Sequence, residues 1–409
     1  MNNLVRYLKT IPTVCLWVVI FTAALSNAYA FDNDRLDLTI TRFLDSLSFN
    51  YKGFDIKIEG VSVGEEFDDN ITLAEKDELE DFITKVGLKV GVIYEGKNRT
   101  LELIGNINNQ TFAKNDIFNN ITQDVTLNFT NEFSKYDRMS LKNVFFHSEA
   151  PLSEFREEFF EEEQFGERGG GRLDYFKNRF NVNYSRDIAK QLTITTRYAN
   201  DIDIFSGVDR PSSSQNRAGL ETAYSFSPTT IFFFTYDFSI REYEDRGNIS
   251  INTIATGIRQ YITKKLYFDG RTGLDFIDSV DDTSPTRGLI RSSLTYQIDR
   301  DLHASISFQK SNNADSFSPS IFGGWRTSAS LTRQMLERLR FSLSAFYGEG
   351  KSLSTDFEQK LLGANSTLTY DISKNLKGNL TYSYSQSDPN IESSGYTRST
   401  VFIGLTAGF

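Results

Sequence analysis

Apolar and polar side chains alternate along the last stretch of the chain, residues 396–409. One face carries Val401, Ile403, Leu405, Ala407 and Phe409, and the other carries mainly arginine, threonine and glycine. A period of two is typical of a β-strand with one face in an apolar environment and the other in water. A soluble β-sandwich can also end in such a strand, so the rest of the chain decides what this pattern means.

The same alternation recurs through most of the chain from Phe54 onward. After Thr230, for example, aromatic residues occupy every second position from Phe232 to Phe238. Two segments are less regular. In residues 54–63 the apolar phase shifts after Ile58, which predicts a β-bulge, and residues 139–147 show no decisive phase.

Two kinds of break separate the predicted strands. Short polar turns begin at positions 227, 263, 299, 336 and 373, a period of 36 or 37 residues that indicates an array of one unit with two strands. Longer breaks alternate with these turns. Short turns at one end and long loops at the other are typical of outer-membrane barrels, in which the short turns are periplasmic. The longer breaks include residues 66–81, 114–120, 149–171, 206–215, 279–286, 311–321 and 388–395.

The strand count predicts the fold and the location. Residues 54–409 divide into about 18 strands (16–18), and an even number places both ends of the barrel in the periplasm. A soluble propeller also repeats, but its blades need four strands per unit of roughly 40–50 residues. We therefore expect an all-β protein, a transmembrane antiparallel up-and-down β-barrel in the outer membrane of a Gram-negative bacterium. Its last strand, with Val401, Ile403, Leu405 and Phe409, resembles the C-terminal signal read by the barrel-assembly machinery.

The N-terminal residues predict export. Residues 1–30 combine two basic residues, an apolar run and the small-residue site Ala28-Tyr29-Ala30, which is the pattern of a cleaved signal peptide. The apolar run is shorter than the roughly 20 residues of a spanning helix, although an uncleaved anchor is the alternative. Residues 31–53 have a weak helical pattern, and we interpret them as a short periplasmic extension or a plug in the lumen.

Composition excludes several functions. The one cysteine, Cys15, lies in the signal peptide, so the mature chain has neither disulfides nor thiolate metal sites. Removal of Arg6 and Lys9 with the signal peptide changes the net charge from −10 to −12, and this excludes a basic surface for nucleic acid.

No pattern of catalytic residues stands out. His147 and His303 are the only histidines, and neither belongs to a motif with a nucleophile or to metal-ligand spacing. Residues 68–70, Asp-Asp-Asn, could coordinate calcium, but acidic loop clusters of this kind are usually solvated. We therefore expect no enzyme, no cofactor and no metal.

A barrel of this size encloses an aqueous lumen, and the inward positions carry charges that can select solutes. The alternative role for these charges is mutual ion pairing that stiffens the wall. The loop 149–171 is acidic and could fold inward as a constriction, or it could be a solvated surface loop. The candidate pore-lining residues are Arg179, Arg197, Arg217, Asp237, Asp269, Arg271, Asp275, Arg291, Arg326 and Arg398, and those of the constriction are Glu157, Glu158, Glu161, Glu162 and Glu163.

The start of the barrel resembles the β-barrel porins encoded beside exopolysaccharide and exosortase systems. The resemblance rests on residues 61–71, on Asp81-Phe82-Ile83, and on a second strand that ends at Tyr94. It implies an outer-membrane conduit, or an accessory to one, for an extracellular polysaccharide. Expected partners are outer-membrane lipid, lipopolysaccharide and periplasmic polysaccharide-export proteins. The alternatives are a general diffusion porin for small solutes and a non-conducting structural or adhesion barrel.

Overall fold

The computed structural model describes residues 48–51, 53–149, 174–206, 211–244, 246–279, 285–297, 301–316, 318–390 and 395–408. The predicted signal peptide, the acidic loop with Glu157, Glu158, Glu161, Glu162 and Glu163, and Phe409 of the predicted assembly signal lie outside these residues. The predictions made for them remain predictions.

The described part of the chain is almost entirely β-structure, with one short 3-10 helix at Asp116–Phe118. No helix in this part has the length and the apolar character that crossing a membrane requires. The strands are β1 (Phe49–Tyr51), β2 (Phe54–Asp68), β3 (Asp81–Glu95), β4 (Arg99–Phe112), β5 (Asn120–Glu132), β6 (Asp137–Ser148), β7 (Asp174–Ala189), β8 (Leu192–Ser206), β9 (Ser213–Ser227), β10 (Thr230–Tyr243), β11 (Gly247–Tyr261), β12 (Leu266–Asp278), β13 (Thr286–Gln297), β14 (Leu302–Ala314), β15 (Ile321–Leu336), β16 (Leu339–Ser352), β17 (Glu358–Asp371), β18 (Leu376–Pro389) and β19 (Tyr396–Gly408).

Strands β2 to β19 form a closed antiparallel barrel of 18 strands, as predicted. Each strand pairs with its neighbours in the sequence, and β19 returns to pair with β2, from Thr400 opposite Asp68 to Gly408 opposite Gly60. Closure gives the backbone N–H and C=O groups of both end strands a partner, which a sheet inside a bilayer requires.

The outer face of the barrel is apolar. On β10, Phe232, Phe234 and Tyr236 are 44%, 54% and 42% exposed, while Thr235 between them is 4% exposed. Val401 and Ile403 of β19 also lie on the outer face. Large apolar side chains on the outside and polar ones on the inside reverse the order of a soluble protein. This inversion is that of a barrel embedded in the outer membrane.

The strands run further at the extracellular end than the sequence predicted. β14 continues to Ala314, although residues 311–321 were predicted to be loop, and β8 runs to Ser206 and β9 starts at Ser213. The connection between β10 and β11 at this end is a short turn before Gly247, whose φ of 86° favours glycine. The ends of these strands are rich in polar residues, as loops are, so the sequence pattern predicts strands that are too short.

The predicted bulge is present in β2. Its register with β3 shifts between Ile58 and Gly60, so the apolar phase changes there. β19 pairs with β2 only as far as Gly60. The backbone at the start of β2 pairs instead with β1, with Phe49 opposite Ile56 and Tyr51 opposite Phe54. The described end of the segment 31–53 is therefore a strand, and a plug formed by the rest of it remains a prediction.

The inner wall is partly apolar at the extracellular end, which explains the indecisive phase of β6. Val144 and Phe146 point inward and are 4% and 2% exposed, and the Phe146 ring lies 5.7 Å from that of Tyr175 on β7. Apolar residues therefore occupy both faces of β6, and period-two alternation disappears.

Candidate functional site

The seam between the first and last barrel strands is joined by a buried ion pair. Arg398 on β19 donates to both carboxylate oxygens of Asp68 on β2, with Nη2–Oδ2 at 2.6 Å and Nε–Oδ1 at 3.1 Å. Asp68 is 1% exposed and Arg398 8%. Two parallel donor contacts fix the relative position of the two strands as well as their charge balance.

The neighbouring residues of the 68–70 segment belong to the same seam. The Asn70 side chain, fully buried, donates to the carbonyl of Thr397 at 3.0 Å, and the backbone N–H of Ser399 donates to Asp69 at 2.7 Å. The interpretation of this segment as solvated is therefore wrong for Asp68 and Asn70. The described residues include no group of three or more His, Cys, Asp or Glu placed to hold a metal ion.

A buried group of charges, which we call the mouth cluster, lies on the inner wall near the extracellular ends of β7 to β10. Its centre is Asp203, which is fully buried and receives Arg179 at 2.7 Å and Arg241 at 3.1 Å. Arg217 pairs with Asp201 at 2.6 Å. Since each carboxylate faces at least one guanidinium, the charges stabilise one another away from bulk water. The mouth cluster comprises Lys177, Arg179, Asp201, Asp203, Arg217 and Arg241.

Deeper in the barrel, alternating charges form a mid-wall ladder across β8 to β12. Arg197 contacts Asp237 at 3.0 Å and Glu221 at 3.5 Å, and the next contact joins Glu221 to Arg271 at 2.6 Å. The ladder continues from Arg271 to Asp269 and ends at Arg259. Acidic and basic side chains are equal in number along the ladder, so its fixed charge is nearly balanced.

The ladder also rests on an aromatic ring. The guanidinium of Arg271 lies 4.6 Å from the centre of the Phe233 ring and that of Arg259 lies 5.6 Å from it. Phe233 points inward and is 7% exposed. Cation–π contacts of this kind hold the flat guanidinium groups against the wall, and they keep the side chains from extending into the lumen.

The end of the β14–β15 hairpin folds into the barrel. Residues 311–316 and 318–321, the hairpin tip, reach β9 and β10, where Ser213 donates its hydroxyl to the carbonyl of Ser316 at 3.1 Å. Tyr243 donates likewise to the carbonyl of Asp315. Four strand spacings separate β10 from β14 along the wall, about 19 Å. The tip therefore bridges part of the extracellular mouth.

Apolar packing supports these hydrogen bonds. Ala314 and Ile321 of the tip pack with Ile249, Ile251 and Tyr243 in a buried group on the inner wall, joined by Ile277. Asn312 in the tip donates to Asp275 on β12 at 2.8 Å, and Thr253 donates to the other oxygen of that carboxylate at 2.7 Å. The tip is thus held by both apolar and polar contacts.

A polar hollow of about 280 Å³ lies between the hairpin tip and the inner wall. Its lining includes Arg197, Arg217, Asp237 and Arg271, which take part in the ion pairs above. Arg291 also lines it and is exposed, and no described carboxylate lies within ion-pairing distance of its guanidinium. Arg291 is therefore the lining arginine with its charge most open to a solute.

The structure places the predicted pore-lining residues in four settings. Arg179, Arg197, Arg217, Asp237, Asp269 and Arg271 are in the mouth cluster or the ladder, and Arg398 is in the seam. Asp275 and Arg291 border the hollow, and Arg326 lies 3.8 Å above the Phe346 ring on β15–β16. Ion pairing within the wall, the alternative interpretation, thus describes the first two settings, the cluster or ladder and the seam.

Sequence reasoning missed the most buried members of the mouth cluster and the inward fold of the hairpin tip. Asp201 and Asp203 lie on the same face as Arg197, so extending the alternation by three more steps along β8 would have identified both. The contacts of the tip left no such signal, because Ser213 and Ser316 are far apart in the chain.

The two histidines lie near opposite ends of their strands. His147 lies at the rim, where its Nε2 is 3.0 Å from Asp174 and its ring stacks on Phe176 at 4.3 Å. His303 is exposed near the short turn before β14.

Comparison with known proteins yields no family model and no curated relative that matches the chain. Among solved structures, the outer membrane protein OpdK from Pseudomonas aeruginosa is similar over 87% of this chain and 99% of its own, with 12% identity and a TM-score of 0.48. The siderophore receptor PirA from Acinetobacter baumannii is similar over 86% and 80%, with 9% identity and a TM-score of 0.46. Similarity this distant carries no argument about this chain, and the fold assignment rests on the strand pairing described above.

Proposed function

We propose that this protein is a passive outer-membrane pore for small hydrophilic solutes, narrowed by the hairpin tip at its extracellular mouth. The observation that carries the proposal is the polar hollow between the tip and a charged inner wall, inside a barrel whose outer face is apolar. Barrels of 16–18 strands leave an aqueous channel, and an inward loop sets its width.

The charges around the hollow support a modest preference for anions. The mid-wall ladder is balanced, so it contributes little net field at a distance. Arg291 adds an exposed positive charge, while the nearby Asp275 is 3% exposed and held by two hydrogen bonds. An ion that passes the hollow therefore meets a cation more directly than an anion.

Planar-bilayer recording of the mature protein tests both statements. We expect open-channel current from the wild type, and a reversal potential in a KCl gradient that indicates a preference for chloride. Arg291→Gln should lower the chloride-to-potassium permeability ratio about twofold, because one exposed luminal charge is removed. Arg138→Gln, which removes an exposed charge at the periplasmic rim, is the matched control and should leave the ratio unchanged.

Two results would contradict the proposal. A silent bilayer, with protein that is shown to be folded, would favour the structural or adhesion barrel. If wild type and Arg291→Gln had the same chloride-to-potassium permeability ratio, Arg291 would not lie on the path of the ions.

A narrower proposal is that the solute is an extracellular polysaccharide. It is supported by the resemblance of residues 61–71 to porins of exopolysaccharide systems, and by arginine–aromatic pairs on the inner wall. Arg326 covers Phe346, and Arg259 lies 5.7 Å from Tyr267. Loss of surface polysaccharide in a deletion strain, restored by wild type, is expected if this is correct. Normal polysaccharide with lost solute uptake would favour the general diffusion pore.

A further inference from the structure

The barrel wall divides at the extracellular end between β13 and β14. These strands pair from Gln297 opposite His303 up to Ile290 opposite Lys310, and beyond Lys310 the pairing stops. β14 nevertheless continues to Ala314 in register with β15, because its end follows the hairpin tip into the lumen. The separation leaves a cleft of about 660 Å³, bordered by the upper end of β13 and by β14 to β18.

The cleft is lined by a row of four charged side chains and one tryptophan on the outer face of the barrel. Strand register aligns Lys310, Trp325, Glu349, Lys360 and Asp388 on five successive strands. The next outward row toward the membrane includes Tyr347 and Leu362, both 39% exposed. A polar row directly above an apolar band lies at the depth of the lipid head groups of the outer leaflet.

The lysines that line the cleft are available to a ligand. Lys310, Lys351 and Lys360 are exposed and line the cleft, and they make no ion pair with any described carboxylate. Ammonium groups placed at the head-group level attract phosphate, and each retains three donors for it.

An aromatic surface lies beside these cations. Trp325 borders the cleft, stacked against Phe308 at 6.2 Å and edge-on to Tyr347 at 5.5 Å. Tyr347 donates its hydroxyl to Glu349 at 2.6 Å, so that carboxylate keeps a fixed position with acceptor sites to spare. A rigid indole face between hydrogen-bonding side chains can accept a sugar ring on its apolar face.

We propose that this cleft binds the head group of a phosphorylated glycolipid in the outer leaflet. The lysines contact its phosphates, Trp325 lies under a sugar ring, and Glu349 and Asp388 accept hydrogen bonds from its hydroxyls. The cleft volume is within the 300–1,000 Å³ typical of ligand sites. The proposed ligand contacts lie on the outer face of the barrel and do not depend on whether the barrel conducts ions.

Binding of purified lipid A to the full mature protein in detergent tests the proposal. We expect saturable binding of lipid A by native mass spectrometry and thermophoresis, with a dissociation constant at least about tenfold higher for the double variant K310Q/K360Q. The control K97Q/K264Q removes two exposed lysines from periplasmic turns and should bind as the wild type does. W325F, which retains all charges, should weaken binding of lipid A but not that of phosphatidylglycerol.

Three outcomes would overturn the assignment. One is an unchanged affinity in K310Q/K360Q. Another is an equal loss of phosphatidylglycerol binding, which would indicate attraction to anionic lipid in general. The third is displacement of lipid A by inorganic phosphate at equal phosphate concentration, since a glycolipid site also uses sugar contacts.

Discussion

At the scale of single residues, the ion pairs of this barrel differ most in burial. The Asp68–Arg398 pair closes the seam with almost no exposure, whereas Arg138 and Asp187, paired at 3.0 Å, are 48% and 26% exposed at the rim. Exposed pairs contribute about 0–1 kcal/mol because water and salt screen them. A buried pair leaves a desolvated charge when one partner is removed, so the two pairs have unequal effects on stability.

Asp68→Ala should lower the free energy of unfolding in detergent micelles by about 3–5 kcal/mol, because Arg398 loses its buried counter-charge. Urea titration followed by tryptophan fluorescence measures this change. Asp187→Ala should cost under about 1 kcal/mol. If both variants unfolded at the same urea concentration, the seam pair would have no special role in stability.

The sequence predicted which face each charge occupies but not its partner. Alternation assigns a side chain to the inner wall without any knowledge of neighbouring strands. The contact between Arg197 and Asp237, however, depends on the register of three strands, and a shift by one residue would reverse the faces. Assigning a side chain to the outer face does not require the register of neighbouring strands. The outward positions of Phe232, Phe234, Tyr236 and Phe238 are therefore predicted correctly.

At the scale of elements, the hairpin tip is the feature that the sequence could not predict. Residues 311–321 contain serine, asparagine and proline, the composition of an exposed turn. Their inward course depends on Tyr243 and Ser213, which precede the tip by some 70 and 100 positions. Strand count and turn spacing arise from local composition, so the sequence predicted them well.

Replacing residues 315–320 by Asn-Gly should increase single-channel conductance, because the mouth loses its bridging segment. Ala314 and Ile321 are opposite each other, so a two-residue turn can close the hairpin there. Conductance in planar bilayers is the measurement.

The double variant Ser354→Gly, Thr355→Gly, in an exposed connection, is the control and should conduct as the wild type does. Wild-type conductance after shortening of the tip would show that the narrowest point lies elsewhere.

At the scale of the whole molecule, the apolar exterior and closed sheet determine each other. A lipid-facing strand has no water to satisfy its backbone, so the sheet must close, and closure leaves alternate side chains facing lipid and lumen. This reciprocity explains why a modest mean hydropathy of −0.38 is compatible with a membrane protein. It also explains why the number of strands alone predicts the architecture.

An arginine at the centre of a strand should be tolerated on one face only. Leu220 points outward at the middle of β9 and is 42% exposed. Leu220→Arg should lower the free energy of unfolding of the protein by about 2–4 kcal/mol, because the charge enters hydrocarbon. Ser293→Arg, on the inner face of β13 opposite Asp269 and Ser307, should change stability little. Urea unfolding from lipid vesicles compares the two, and equal losses would contradict the assignment of faces.

At residues 315 and 316, the hairpin tip is bound to β9 and β10 through its main chain. Tyr243 and Ser213 donate to carbonyl oxygens of residues 315 and 316, groups that every amino acid supplies. Mutations that alter the side chains presented to the lumen can therefore accumulate there while the segment keeps its position. The position of the hairpin tip is thus set by its main chain, and its selectivity by its side chains. Related barrels can therefore differ in this short segment while the strands of the wall stay the same.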